Sequence, residues 1–138
     1  MRLIRHALLG AMLTLSIAAG SSSTGAAGEV HSEVPEVVEP ARRHLFYLHG
    51  AWIEHSGPER AHPRHGRYEY RAIVQALAER GFVVIGEART GATDVEAYAK
   101  EVATQVRRLL EKGVPPSQVT VIGHSKGGSI ALHAASEL

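Results

Sequence analysis

The sequence of 138 residues contains no cysteine, a single aspartate and a single tryptophan, and only 5% of its residues are aromatic. The absence of cysteine excludes a disulfide framework and a lipoprotein acceptor. So few aromatic residues argue against a stacking platform for single-stranded nucleic acid. The 15 basic and 14 acidic residues give a formal net charge of +1, which favours neither a nucleic-acid partner nor a strongly acidic substrate.

The N-terminal segment has the pattern of a secretory signal peptide. Arg2 and Arg5 precede an almost uncharged apolar run at residues 7–19, and small residues follow it. The run is shorter than the about 20 residues that span a bilayer comfortably. We therefore predict a signal peptide over residues 1–27, a secreted or periplasmic location and no stable membrane insertion. An uncleaved membrane anchor is the alternative.

The next segment, residues 28–42, is predicted to be a linker. It is acidic, contains Pro35 and Pro40, and shows no sustained periodicity of apolar residues. Such a composition supports at most one poor edge strand. Residues 43–138 then form the predicted domain.

Within that domain, apolar patterns alternate between strand and helix. Three short apolar runs predict buried strands, at residues 44–48, 82–85 and 119–122. Three segments with helical spacing follow them, at residues 68–80, 94–112 and from 127 onward. The 17 residues at 51–67 are predicted to be a loop. The order βαβαβα predicts an α/β fold, a three-layer sandwich in which a mostly parallel sheet is covered on both faces.

The ends of the predicted helices carry recognisable signals. Gly81 and Gly113 stand where the first two helices end. Thr93 and Glu96 fit a capping box at the start of the long helix, and Asp94 is also placed to cap it.

The motif with the clearest chemistry is Gly-His-Ser-Lys-Gly, in which Ser125 stands between Gly123 and Gly127 after a β-branched run. This G-x-S-x-G pattern is typical of a nucleophile elbow, a sharp turn from strand to helix. The turn would present the serine hydroxyl beside a helix N-terminus, where backbone N–H groups can stabilise an oxyanion. A glycine-rich turn with a capping serine is the alternative.

Together with a second motif, the elbow resembles that of the α/β-hydrolase superfamily. Leu48-His49-Gly50-Ala51 is similar to the His-Gly oxyanion loop after the third strand of that fold, and Gly123 to Gly128 is similar to the elbow after its fifth strand. The resemblance covers roughly residues 44–138, the N-terminal half of a usual hydrolase core. It implies that the first predicted strand lies between the other two.

The resemblance also assigns roles to particular residues. It implies that Ser125 is the nucleophile and that the backbone N–H groups of Ala51 and Lys126 are the oxyanion donors. The family takes its catalytic acid and histidine from later strands, and no residue here matches them. His133 and Glu137 follow the serine, but His133 lies roughly 12 Å along the predicted helix, beyond hydrogen-bond reach. We therefore expect a truncated hydrolase core with an incomplete triad.

Neither metal nor cofactor is predicted. His55, His62 and His65 lack the helical spacing of a zinc site, and we interpret them as solvated loop histidines. His49 is interpreted as orienting its loop through ring hydrogen bonds. Residues 86–93 have phosphate-loop spacing, but Ala92 replaces the required lysine. A dinucleotide-binding turn at residues 123–129 lacks its last glycine and an acidic residue downstream.

The sequence thus predicts a secreted serine hydrolase-like protein that transfers an acyl group from a small ester-like substrate to water. A catalytically silent hydrolase fragment or binding module is the alternative, and a nucleotide-binding oxidoreductase is less favoured. The third strand is predicted to lie at the sheet edge. Its apolar residues Val119, Val121 and Ile122 would then favour self-association.

Overall fold

Four parallel strands form the centre of the protein in the computed structural model, which describes residues 28–138. The predicted signal peptide lies outside the described residues. The elements, in chain order, are β1 (Val30–His31), β2 (Arg43–Leu48), α1 (Ala51–Ser56), β3 (Ala61–His62), β4 (Gly66–Arg67), α2 (Tyr70–Glu79), β5 (Phe82–Ile85), α3 (Val95–Glu111), a 3₁₀ turn (Pro116–Gln118), β6 (Val119–Gly123) and α4 (Lys126–Ser136). Within this range, no helix is both long and apolar enough to cross a bilayer.

The sheet has the strand order β1-β5-β2-β6, and all its pairings are parallel. The predicted α/β class with a mostly parallel sheet is therefore confirmed. The first predicted strand, β2, does lie between the other two. β2 has a neighbouring strand at each edge and helices on both faces, so it is buried from His44 to Leu48.

Alternate residues of β2 point into two separate cores, as the period of a strand requires. On one face, Leu45 and Tyr47 pack against α1, α2 and β5. On the other face, Phe46 and Leu48 pack against α3 and α4. The helices therefore cover the sheet from both sides, which is the predicted three-layer arrangement.

The segment predicted as a linker or a poor edge strand contains the edge strand. Val30 and His31 pair in parallel with Val84 and Ile85 of β5. Val34 is 2% exposed and belongs to the core beneath α3 and α4, and its N–H donates to the side chain of Gln105 at 3.1 Å. The segment is thus packed against the domain.

The loop predicted at residues 51–67 was wrong, because this segment contains regular structure. α1 occupies its first six residues, and β3 and β4 form a small antiparallel hairpin in which His62 pairs with Gly66. A six-residue helix is too short to show an apolar period, and a hairpin of two-residue strands carries no alternation. The remaining signals in this segment are its glycine and proline residues, which are typical of loops.

The long helix α3 begins one residue later than a capping box would require. Asp94 is the N-cap, and its Oδ1 accepts the N–H of Ala97 at 2.8 Å. The predicted capping box of Thr93 and Glu96 was therefore wrong, whereas the alternative cap, Asp94, is confirmed. Gly81 (φ 85°) and Gly113 (φ 88°) follow α2 and α3 in the left-handed region that favours glycine.

At the turn from β6 to α4, the backbone of the helix presses against the end of β2. A Cβ atom on Gly127 would lie 1.9 Å from the carbonyl oxygen of Leu48, and one on Gly123 would lie 2.1 Å from the oxygen of Gly127. Both obstacles are backbone atoms, which cannot rotate away. Both glycines of the G-x-S-x-G motif, Gly123 and Gly127, are therefore required by close backbone packing.

We expect Gly127→Ala to lower the free energy of unfolding by at least about 3 kcal/mol, at the upper end of overpacking costs. Gly128→Ala is the matched control, since its Cβ would lie 3.5 Å from the nearest atom, an ordinary contact. Alanine there should leave stability unchanged or raise it by up to about 1 kcal/mol. Urea denaturation of both variants tests this. Equal effects would contradict the packing explanation.

Candidate active site

Ser125 lies at the turn between β6 and α4 with φ 53° and ψ −120°. Among residues 28–138 it is the one non-glycine residue with positive φ. Such a conformation costs about 1–3 kcal/mol and persists only where neighbouring structure enforces it. Here the N–H of His124 donates to the oxygen of Leu48 at 3.0 Å, and the N–H of Gly128 donates to the oxygen of Ser125 at 2.8 Å. The strained turn expected from the motif is present.

The His-Gly segment after β2 lies directly beside this turn. A Cβ atom on Gly50 would stand 3.3 Å from the Cβ of Ser125 and 3.1 Å from Nδ1 of His124. Ala51 begins α1 and Lys126 begins α4. The first N–H groups of a helix have no acceptor within it. The two residues assigned as oxyanion donors are therefore the starts of two helices that meet near the serine.

A buried ion cluster links these helices. The Glu54 carboxylate, 0% exposed, accepts hydrogen bonds from Lys126 Nζ at 2.6 Å and from Arg89 Nε at 3.1 Å. The Arg89 side chain is 2% exposed and that of Lys126 is 21% exposed. Within residues 28–138, Arg89 Nη1 has no hydrogen-bond partner, and the Arg89 guanidinium lies 5.0 Å from the centre of the Tyr98 ring. The cluster joins the loops after β2, β5 and β6.

Charge compensation decides the protonation of Glu54. Burial would raise the pKa of this carboxyl, but the hydrogen bonds from Lys126 and Arg89 outweigh burial and hold the pKa below its ordinary value. Glu54 is therefore ionised at neutral pH. A second carboxylate, Glu87, accepts a hydrogen bond from the hydroxyl of Tyr98, whose ring lies against Arg89, so the two cations have two carboxylates near them.

His49 is fully buried and acts through both ring nitrogens. Nδ1 donates to the oxygen of Gly50 at 2.8 Å, and Nε2 accepts the N–H of Arg89 at 2.8 Å. Since Nε2 accepts, the ring is neutral with its proton on Nδ1. Burial lowers the pKa of His49, which favours the same form. Its ring therefore orients the loop, as expected, and has no free nitrogen to serve as a base.

The hydroxyl side of Ser125 opens into a cavity of about 520 Å³. Side chains from the β3–β4 hairpin, from α1 and from the serine turn line this cavity, among them Trp52, His62, His65, Tyr68 and His124. Two of the three histidines interpreted as solvated are thus part of the cavity wall, and His55 is not. Among residues 28–138, no three side chains of the metal-binding types come together.

Within residues 28–138, the hydroxyl of Ser125 makes no hydrogen bond. His133 is exposed on α4, two helical turns beyond the serine, and Glu137 ends that helix. His62, His65 and His124 line the same cavity as Ser125. The described residues thus bring together the serine and the two helix starts, but no hydrogen-bonded serine–histidine pair.

Sequence reasoning missed the ion cluster and the aromatic part of the cavity wall. Arg89 follows β5 in a turn-rich segment that resembled a phosphate loop, and nothing in the local sequence indicates that its side chain is buried. Glu54 directly precedes His55 in the segment predicted to be a loop, where a carboxylate is ordinarily exposed. The one local signal was the lysine directly after the serine, where this hydrolase motif more often has an apolar residue or glutamine.

Comparison with known proteins supplies one similar sequence. The chain is 29% identical over 109 residues to a protein named acetyl-hydrolase from Streptomyces hygroscopicus. The aligned region covers 75% of this chain and 33% of the relative, so the chain spans about a third of the length of the curated relative it matches. No protein-family model matches the chain, and no solved structure matches it.

We expect Glu54→Gln to lower the free energy of unfolding by about 3–5 kcal/mol, because it leaves Arg89 and Lys126 without their buried counter-charge. Glu59→Gln is the control. Glu59 pairs with Arg67 at 3.5 Å and with Arg71 at 2.9 Å, but its side chain is 63% exposed. Such surface pairs are worth at most about 1 kcal/mol. Urea denaturation at pH 7 compares the two variants, and equal losses would argue against the buried cluster as a stabilising unit.

A pH dependence follows from the two buried histidines. Burial lowers the pKa of both His44 and His49 below the ordinary value of 6.5. Below pH 6.5 the unfolded chain therefore binds more protons at these two histidines than the folded protein does. We expect the free energy of unfolding to fall from pH 7.5 to 5.5, by at most about 1.4 kcal/mol per pH unit for each histidine.

Nuclear magnetic resonance of the ring protons measures this directly in the unaltered protein. The signals of His44 and His49 should stay in their neutral positions between pH 7.5 and 6.5. A midpoint at or above pH 6.5 for either ring would show that burial does not keep that ring neutral.

Proposed function

We propose that this chain carries the nucleophile and the oxyanion donors of a secreted serine hydrolase that cleaves a small ester or related acyl compound. The observation that carries the proposal is the conformation of Ser125. A positive φ of 53° in a Gly-x-Ser-x-Gly turn between a parallel strand and a helix is the geometry of a nucleophile elbow. The cavity beside the serine gives a substrate access to its hydroxyl.

In this proposal, Ser125 Oγ attacks the carbonyl carbon of the substrate. The carbonyl oxygen becomes an oxyanion, which the N–H groups of Ala51 and Lys126 stabilise. The tetrahedral intermediate then expels the alcohol and leaves an acyl-serine, which water hydrolyses to the acid. The starts of two helices favour the developing negative charge at this point.

The similarity to an acetyl-hydrolase supports hydrolysis over the nucleotide-binding alternative. A second candidate, a silent fragment or binding module, is favoured by a separate observation: within residues 28–138 the serine hydroxyl has no hydrogen-bonded base. The two candidates differ in proton transfer. An enzyme needs a group that removes the proton of Ser125 Oγ, whereas a binding module does not.

We expect the purified chain to hydrolyse 4-nitrophenyl acetate slowly, with a turnover below about 1 s⁻¹, the low end of the ordinary enzyme range. Ser125→Ala should abolish the reaction above background, and mass spectrometry should find an acetyl group on Ser125 of the unaltered chain. Ser129→Ala, an exposed serine in the first turn of α4, is the matched control and should keep the rate.

Each other outcome has a defined meaning. Equal rates for Ser125→Ala and the unaltered chain, without acetyl-serine, would remove the hydrolase proposal and favour the binding module. A serine-dependent turnover above about 1 s⁻¹ would instead mean that these residues themselves supply a base. His62, His65 and His124 would then be the first groups to replace.

A further inference from the structure

The cavity beside Ser125 is walled by aromatic and imidazole rings that touch one another. The centre of the His62 ring lies 4.5 Å from that of Trp52 and 4.6 Å from that of His65. A second pair, Tyr68 and His124, has its ring centres 5.5 Å apart. Phenylalanine, tryptophan and tyrosine together make up 5% of the whole sequence, which also has nine histidines, so a tryptophan, a tyrosine and three histidines around one cavity are a local enrichment.

Hydrogen bonds to the protein hold several of these rings in place. Trp52 Nε1 donates to the oxygen of Arg60 at 3.0 Å, and Nδ1 of His62 accepts the N–H of Arg64 at 3.1 Å. The hydroxyl of Tyr68 lies 2.6 Å from that of Tyr47. These bonds involve atoms at the ring edges, and His62 in addition contacts the rings of Trp52 and His65. The rings are therefore preorganised, and what they offer a ligand is mainly a flat π-surface.

The charge and the size of the cavity bear on the class of ligand that would fit it. Arg67 also lines the cavity, but its side chain is 56% exposed and shares the Glu59 carboxylate with Arg71, so its charge is in contact with solvent. A cavity of about 520 Å³ falls within the range of small-molecule sites. An acetyl group at Ser125 would leave most of it empty. The remaining space suits a flat group attached to the reacting carbonyl.

We propose that this cavity binds a planar aromatic or heteroaromatic ring of the substrate, held against the rings of Trp52 and His62 while the carbonyl lies at Ser125. The placement of the carbonyl rests on the proposed function, whereas binding of the ring itself does not. A sugar, which can also pack against aromatic faces, is the rival occupant.

The test uses the fluorescence of Trp52, the single tryptophan of the sequence, in the purified chain. Benzamide is titrated against cyclohexanecarboxamide, which has the same size and polar group but no planar ring, and against methyl glucoside. We expect saturable quenching by benzamide with an affinity about 5-fold higher than that of cyclohexanecarboxamide, a stacking gain of about 1 kcal/mol. Equal or weaker binding of benzamide, or tighter binding of the glucoside, would overturn the proposal.

Two histidine variants test whether benzamide binds in this cavity, and a serine variant separates benzamide binding from hydrolysis. His62→Ala should weaken benzamide binding about 5-fold, whereas His133→Ala, an exposed histidine of α4 away from the cavity, should leave it unchanged. Equal effects would overturn the assignment. Ser125→Ala should keep benzamide binding even though it removes hydrolysis. Failure of hydrolysis with intact ring binding would thus reject the proposed function alone, and loss of ring preference with intact hydrolysis would reject this inference alone.

Discussion

The carboxylate of Glu54 is the one interaction on which the arrangement of the site depends. It is buried, and it binds Arg89 from the loop after β5 and Lys126 from the start of α4, while its own helix begins at Ala51. Arg89 in turn donates its backbone N–H to His49 and its guanidinium to the oxygen of the same residue. A single carboxylate thus fixes three loops at the carboxyl ends of three neighbouring strands, the position at which open α/β sheets bind ligands. Removing it would loosen the two helix starts relative to each other and leave two buried cations uncompensated.

Steric contact at the turn complements this electrostatic contact. Gly127 lies so close to the carbonyl of Leu48 that any side chain would overlap backbone, so the first turn of α4 rests directly on the end of β2. This contact, together with the hydrogen bond from His124 to Leu48, keeps Ser125 in a conformation that a free chain would avoid. The strain at one residue is balanced by a turn that cannot relax without separating α4 from the sheet.

The fold and the serine turn were predictable from sequence because they depend on local patterns. Apolar runs located β2, β5 and β6, and Gly123 and Gly127 marked the sharp turn around Ser125. The ion cluster was not predictable in the same way, since Glu54 and Arg89 lie 35 residues apart and meet only after β2 and β5 pair. Similarly, His62 and His65 read as solvated because a hairpin of two-residue strands leaves no period in the sequence. Local apolar patterns predict strands and helices. Contacts between distant polar residues depend instead on the order of the strands in the sheet, which no short stretch of the sequence encodes.

The proposed acyl transfer requires stabilisation of an oxyanion and removal of a proton, and the described residues supply groups for the first more fully than for the second. In the proposed reaction the developing oxyanion needs hydrogen-bond donors, and the starts of α1 and α4 would provide them. The serine proton needs a base, and His49, the most buried histidine beside the serine turn, cannot provide one because both its nitrogens are engaged. Stabilising an oxyanion without accepting a proton lowers only part of the barrier. In the proposed hydrolase, the elements that pack with β2, β5 and β6 would therefore stabilise the oxyanion, and the base would have to be another side chain that faces the cavity.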